Sequence, residues 1–528
     1  MAVNVAGALS MGIFYLLFLA VGIWAARKGQ KVERTYAGDR SEMLIIAGRR
    51  IGNILGILTT TATWVGGAYV NGIAEMVYRP DAGLVWTVAP WTTLLCLFTG
   101  ALFFAKKMRR QKYVTMLDPF QQRYGNCIAS LIFIPAIIGE IFWSAAILAA
   151  LGTTSSVMLD LNKDISMAIS ACVAMIYTLL GGLYSVAYTD VVQLGCIFFG
   201  LWLAVPFTIQ NQAVTSLKIT AVQEVYQKPW LGKIDEIFIG RWIDNLFIMV
   251  LGGIPWQAYF QRVLAASSSK SAQILSIAGA FGGCIMGVPS VLIGSVAAST
   301  DWNQTSYGAK SPFEMGEASM ILPIVLQYLC PHYISIFGIG AIAAAVMSST
   351  DSCLLSSSSM FTYNIYWKIL RPKASEKEIL YVMKTSVLLV TVLATVLALF
   401  TNTIYGLYVL SADIVYVVIF PQLVCALYVP CVNRLGFVTG VLIGALLRIT
   451  GGEPLFHLPP IIHYPGGYFQ NNYYVQTFPY KTFAMLSSLI TTVVLSHISK
   501  IKWPEGSGTV FTLTGRPGEM RNTELLHQ

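Results

Sequence analysis

Two apolar stretches, each long enough to cross a bilayer, are broken in the same way. The first carries Thr59-Thr60-Thr61-Ala62-Thr63-Trp64-Val65-Gly66-Gly67, the second Leu251-Gly252-Gly253-Ile254-Pro255-Trp256. Each sets a glycine pair beside a tryptophan at membrane depth. A helix interrupted there frees backbone groups that must face a cavity and not lipid. Interrupted segments at corresponding places in two halves of a chain point to the midplane site of a transporter. Two ordinary kinked helices are the plainer alternative; the pairing with tryptophans favours a site.

Charged residues make up 11% of the 528 residues and hydrophobic ones 55%. A soluble domain carries roughly 25% charged residues. The pattern predicts an all-α integral membrane protein. At roughly 20 apolar residues per crossing, about thirteen helices are expected. They fall near 7–27, 47–77, 83–105, 125–152, 164–183, 187–208, 238–261, 272–298, 332–365, 379–400, 404–429, 434–450 and 480–499. The first run has no basic segment before it and ends in Arg27-Lys28, so it reads as a retained helix, not a cleaved signal.

Basic residues crowd the segments 27–50, 106–123 and 368–377, which fall on one side of the membrane in this count. The positive-inside rule makes that side cytoplasmic, with the amino terminus outside and the carboxyl terminus inside. The glycosylation acceptor Asn303-Gln304-Thr305 then lies outside. The net charge of +9 follows from this bias and implies no nucleic acid. The partner is the lipid bilayer, with segment 106–112 against anionic inner-leaflet lipid. Nine scattered cysteines without a CxxC pair suggest neither a disulfide framework nor a zinc site. The polar tail from Lys500 to Gln528 reads as disordered, and Glu524-Leu525-Leu526 within it as a chance match to a sorting signal.

An ionisable side chain inside a membrane helix is costly, and each one is a functional candidate. The interior candidates are Glu140, Asp351 and Asp413, with Asp190 near a helix end. No phosphate-binding glycine loop, HExxH or GxSxG is present, so neither an ATP-driven pump nor an enzyme is expected. Asp351 lies in Ala345-Val346-Met347-Ser348-Ser349-Thr350-Asp351-Ser352. Hydroxyls, carbonyls and a carboxylate are hard oxygen ligands that suit a small hard cation. Small residues that merely let helices pack closely are the alternative; the aspartate favours a sodium site. Its other half is expected at backbone carbonyls near Gly56 and Thr59, where the first broken helix unwinds.

Glu140 and Trp143 share one face of a helix. With Trp64 and Trp256 that makes three tryptophans in segments expected to line the cavity. Tryptophan holds a cation over its face better than any other ring, and quaternary ammonium groups are the usual beneficiaries. Anchoring at the membrane interface is the alternative for any single tryptophan. The interior is read as lacking an arginine to clamp a carboxylate, as a carboxylate carrier would need, so the chemistry favours an organic cation over an anion or a sugar.

The runs Thr61 to Gly67, Gly252 to Arg262 and Gly181 to Asp190 resemble the sodium/solute symporters. Tyr113 to Gln122 and Thr450 to Pro454 are similar to the choline-carrying branch of that family, and the resemblance runs from Phe14 to Ser496. It implies a LeuT-like fold of two inverted five-helix repeats. The chain then divides into a first helix and cytoplasmic loop (1–46), a first repeat (47–210), an extracellular loop (211–237), a second repeat (238–429), two further helices (430–499) and a cytoplasmic tail (500–528). The resemblance implies a sodium site at Gly56, Thr59, Ala345, Ser348 and Ser349. The choline-carrying branch adds Asp351 and a chloride requirement. It also implies an aromatic cage to which Trp64, Trp143 and Trp256 correspond.

Two cage positions depart. Thr93 stands where the choline carriers have a tyrosine, and Tyr408 where they have a further tryptophan. Trp91, two residues before Thr93, points elsewhere on a helix. Each lost or weakened cation–π contact costs about 0.5–2 kcal/mol, or about twofold to thirtyfold in affinity. The expected function is sodium- and chloride-dependent uptake of choline across the plasma membrane by alternating access. The resemblance implies a multi-pass protein of presynaptic membranes that cycles through vesicles. A same-fold symporter for another quaternary amine or small solute, and a non-transporting sensor or channel, are the alternatives. Oligomeric state is left open.

Overall fold

The computed structural model describes residues 5–34, 40–159, 161–179, 183–308, 310–401, 403–470 and 473–502. Gly181 and Gly182, and the tail from 503 onward with its Glu524-Leu525-Leu526, lie outside them.

The described chain is helical almost throughout. In a bilayer a helix satisfies its own backbone, which an irregular apolar run would leave unpaired. Among the described residues, nine helices are long and apolar enough to span: Gly12–Gly29, Leu84–Arg110, Asn126–Leu159, Ser185–Ile209, Ser269–Ala298, His332–Leu370, Glu376–Leu399, Ile404–Tyr428 and Tyr480–Ile501. The other four expected spans fall short for two reasons. Those at 47–77 and 238–261 are broken in the middle. Those at 164–183 and 434–450 form helices of only 16 and 17 residues.

The helices that build the site are α1 (Val5–Arg34), α2 (Asn53–Trp64), α3 (Gly67–Tyr78), α4 (Ala89–Thr99), α5 (Asn126–Leu159), α6 (Lys163–Thr178) and α7 (Leu183–Ile209). After them come α8 (Ile239–Leu251), α9 (Gln257–Ala265), α10 (Ser269–Ala298), α11 (His332–Met360) and α12 (Glu376–Leu399). The last are α13 (Ile404–Ile414), α14 (Arg434–Thr450) and α15 (Tyr480–Lys502). Helix α11 is buried over nearly its whole length, wrapped by α7, α5, α12, α3, α9 and α2. Helix α10 packs along α2, α3 and α4, and α14 pairs with α15.

Helix α2 runs unbroken through Gly56 and Thr59, which corrects the expectation that it unwinds there. Thr61 and Thr63 fold their hydroxyls back onto the carbonyls of Ile57 (2.9 Å) and Thr59 (2.7 Å), one helical turn earlier, as a continuous helix allows. The break comes at Val65 and Gly66, where the backbone turns extended before α3 begins. Glycine is needed there because α11 comes so close: a Cβ on Gly66 would land on Ser349, and one on Gly67 on Val346. The second break spans Gly252 to Trp256, and Pro255 lacks the N–H that would carry the helix through it.

A cavity of about 1130 Å³ opens among the loops on the side opposite the basic segments. Arg79, Trp86, Tyr405, Glu453 and Tyr473 contribute to its wall. At its rim, hydrogen bonds from Arg79 hold the Asp81 carboxyl below its ordinary value.

Candidate functional site

The two breaks face each other. A Cβ on Gly253 would strike both the Trp64 ring (2.9 Å) and Cys96 Sγ of α4 (2.7 Å). Three residues on, Trp256 meets Trp143 of α5 edge to face, with ring centroids 4.6 Å apart and planes at 90°. The Trp256 indole N–H donates to the Gly252 carbonyl (2.8 Å), so the break itself fixes the ring. Trp64 packs edgewise on Tyr259, 6.5 Å between centroids. Trp143 and Trp256 are each 8% exposed, which removes the interface-anchor alternative for both.

Thr93 sits one turn before Cys96 on the same face of α4. It packs against Gly283 of α10, whose carbonyl accepts the Tyr69 hydroxyl (3.0 Å). Trp91 is 54% exposed and turned away from them. Tyr408 of α13 is buried edgewise to Tyr405 (6.3 Å), and its hydroxyl has no hydrogen-bond partner among the described residues. Glu140 turns towards α11, where its carboxylate accepts the Cys353 thiol (3.2 Å).

A polar core lies along α11 beside the first break. The Ser348 hydroxyl donates to Asp190 of α7 (2.5 Å) and stands 3.4 Å from the Ala62 carbonyl. The Thr59 hydroxyl donates to the other Asp190 oxygen. Ser349 accepts the Gly67 N–H (3.3 Å), and the Ala345 carbonyl lies 3.9 Å from where a Gly66 Cβ would be. The structure thus brings Ala345, Ser348, Ser349 and Thr59 together. It does not bring Gly56, which lies two turns back against Leu275 of α10. Asp351 faces the other way and accepts the Thr178 hydroxyl of α6 (2.7 Å). Asp190 takes the place beside Ser348 that the sequence assigned to Asp351.

The interior also holds the arginine that sequence reading did not recognise. Arg262, at the end of α9, is 1% exposed. It donates to the Ser352 hydroxyl (2.5 Å) and stands 3.6 Å from Asp190. A buried arginine was the feature expected of a carboxylate carrier, but this one faces an aspartate of its own chain. Its signal in the sequence is its place just past a break, where the helix must continue through protein. A second arginine, Arg448 of α14, is bound to Asp413 (2.6 Å) and Glu453, and Lys481 joins Asp413 at 2.8 Å.

Carboxylate, hydroxyls and a carbonyl make the donor set around Asp190 and Ser348 entirely hard oxygen, which fits sodium. The last carbonyls of α2 lack helical partners and form the negative end of its dipole, and they terminate at this spot. Asn303 lies exposed in a short turn after α10.

The sequence profile of the sodium:solute symporter family matches residues 44–444. The high-affinity choline transporter 1 of Torpedo marmorata is 55% identical over 511 residues, covering 96% of this chain and 88% of that one. Its human counterpart is 54% identical over 508 residues, covering 96% and 87%. A solved Na+-coupled sialic acid symporter in a substrate-bound outward-open state superposes with a TM-score of 0.72 at 15% identity, covering 93% of this chain and 98% of that one. That likeness shows the shared fold.

Proposed function

The chain belongs to the sodium:solute symporter family, and from that premise we propose that it takes up choline, or a closely similar quaternary amine, across the plasma membrane. It is a multi-pass membrane protein whose relatives are transporters and not enzymes. Uptake is coupled to sodium, requires chloride and proceeds by alternating access. The thirteen spans in two inverted repeats, the amino terminus outside, glycosylation at Asn303 and vesicular cycling at nerve terminals belong to the same reading.

The observation that carries it is the meeting of the two breaks, which sets Trp64 against Gly253 while Trp256, tied to the Gly252 carbonyl, meets Trp143. Thr93 and Tyr408 complete the cage walls. Sodium is held by Ser348, Ser349, the Ala345 carbonyl and the end of α2 near Ala62. Asp190 is the carboxylate next to it, with Asp351 and Gly56 further out. Coupling follows from shared backbone: Ala62, at the ion, is two residues from Trp64, at the cage. Sodium therefore braces the cage wall, and its departure loosens it. The membrane potential adds about 2.3 kcal/mol per charge per 100 mV for an entering cation.

Labelled choline uptake in cells expressing the chain, with sodium and chloride replaced in turn, tests this. Trp64→Ala, Trp143→Ala and Trp256→Ala should each raise the half-saturating choline concentration about twofold to thirtyfold. Tyr408→Trp should lower it. Thr93→Tyr should do so as well, unless Gly283 leaves no room, in which case every amine is weakened alike. Normal uptake by all three tryptophan variants would overturn the cage, and uptake without sodium would overturn the coupling.

A further inference from the structure

Glu75 is a buried carboxylate that neither the ion site nor the cage uses. It is 1% exposed, on the last turn of α3. One carboxylate oxygen accepts the Thr403 hydroxyl (2.6 Å). The other accepts the backbone N–H groups of Ile404 (3.1 Å) and Tyr405 (3.2 Å). The Thr403 hydroxyl in turn accepts the Gly406 N–H (3.1 Å). The first turn of α13 is therefore capped by a side chain from another helix.

Both partners need this contact. A helix start leaves N–H groups unpaired and carries a partial positive charge. A buried carboxylate needs donors and a compensating charge. Arg79, one turn further on, is engaged with Asp81 through two hydrogen bonds (2.9 and 2.6 Å). The backbone of α13 is thus what holds Glu75. The helix so held carries Tyr405 and, one turn later, Tyr408. Gly72 of α3 lies flat against Tyr405, its Cβ position 3.3 Å from that ring. The same α3 begins at Gly67 on Ser349. Met76, Thr403, Tyr405 and Gly406 line the outer cavity, so the cap sits in its wall.

We propose that Glu75 is a positioning residue for substrate binding: its carboxylate seats α13 on the outer half of the first broken helix and so sets Tyr408 in the cage. This rests on the reading of Tyr408 as a cage residue. Val409 lines the cavity next to Tyr408 and stands outside the cage. The reactivity of Val409→Cys towards a membrane-impermeant thiol reagent, compared with its parent, reports the seat of α13 without any transport.

In Glu75→Gln that reactivity should change, and the half-saturating choline concentration should rise about fivefold, as for a lost helix cap. Half-saturation by sodium should stay as in the wild type. Thr403→Val removes two contacts, one to Glu75 and one to the Gly406 N–H, but leaves the carboxylate on the Ile404 and Tyr405 N–H groups, and it should shift both readouts the same way. It keeps the test decisive if Glu75→Gln fails to reach the surface. Unchanged Val409→Cys reactivity in both variants overturns the proposal. Changed reactivity with unchanged choline half-saturation overturns the place of Tyr408 in the cage, and with it the role of Glu75 in binding. Parallel shifts in choline and sodium half-saturation mark a general loosening and overturn it too.

Discussion

Asp190 and Asp413 are both fully buried aspartates that face an arginine, yet they differ in how closely cations approach them. Asp413 receives Arg448 at 2.6 Å and Lys481 at 2.8 Å, and Arg448 also binds Glu453. Two cations meet two carboxylates there. Asp190 has Arg262 at 3.6 Å and otherwise hydroxyls from Thr59 and Ser348. Asp351 and Glu140 lie within electrostatic reach of the same guanidinium, with hydrogen bonds from Thr178 and Cys353. Among the described residues, three carboxyl groups there surround one guanidinium. Buried charge left short of a partner is expensive. The balanced cluster ties α13, α14 and α15 to one another. The other lies along α11, with Asp190 beside the end of α2, where the proposed sodium would bind.

The largest expected effect is on the balanced side. Asp413→Ala would take the shared carboxylate from Lys481 and leave Arg448 on Glu453 alone, at a cost of about 3–5 kcal/mol. Thermal unfolding in detergent should show that loss, while molecules that reach the surface keep normal sodium activation. A variant as stable as the wild type would erase the contrast. On the other side, Asp190→Asn should raise the half-saturating sodium concentration about tenfold or more, since hydrogen bonds to a charged group contribute about 1.5–3 kcal/mol. Its melting temperature should hardly move. A collapse like that of Asp413→Ala would make the two clusters alike. Asp351→Ala should affect sodium activation less than Asp190→Asn does, because Asp351 looks towards α6; the reverse order would return the ion to Asp351. The smallest effect is expected from Ser352→Ala, which frees Arg262 to turn fully onto Asp190. It should raise the half-saturating sodium concentration about twofold to tenfold, the worth of about 0.5–1.5 kcal/mol for one hydrogen bond. A fall instead would mean that Arg262 does not compete with the ion.

What was legible in the sequence was local. Gly66-Gly67 and Gly252-Gly253 mark places where a helix is easily interrupted, and both breaks lie at those pairs. Trp64 and Trp256 stood out by their place at a break, and Trp143 by sharing a helix face with Glu140; the contact between Trp143 and Trp256 was not readable. Gly56 misled because an isolated glycine weakens a helix without ending one. That Asp190, and not Asp351, accepts the Ser348 hydroxyl was not readable. Both lie near Ser348 and Ser352 in space, and what decides is which neighbour, α7 or α6, supplies the partner. Arg262 and Glu75 were missed because each looks like the charged end of a span. Only tertiary structure shows that the end is folded inward.

The right-angled pair of Trp143 and Trp256 has an optical consequence. Two indoles in contact at 4.6 Å share their excited states and should give a paired signal in circular dichroism. A cation settling over either face would perturb that signal directly. Occupancy of the cage could then be read in unlabelled protein at rest, with no flux across a membrane. Trp143→Phe should abolish the couplet, which separates this pair from the remaining indoles among the 12 in the chain.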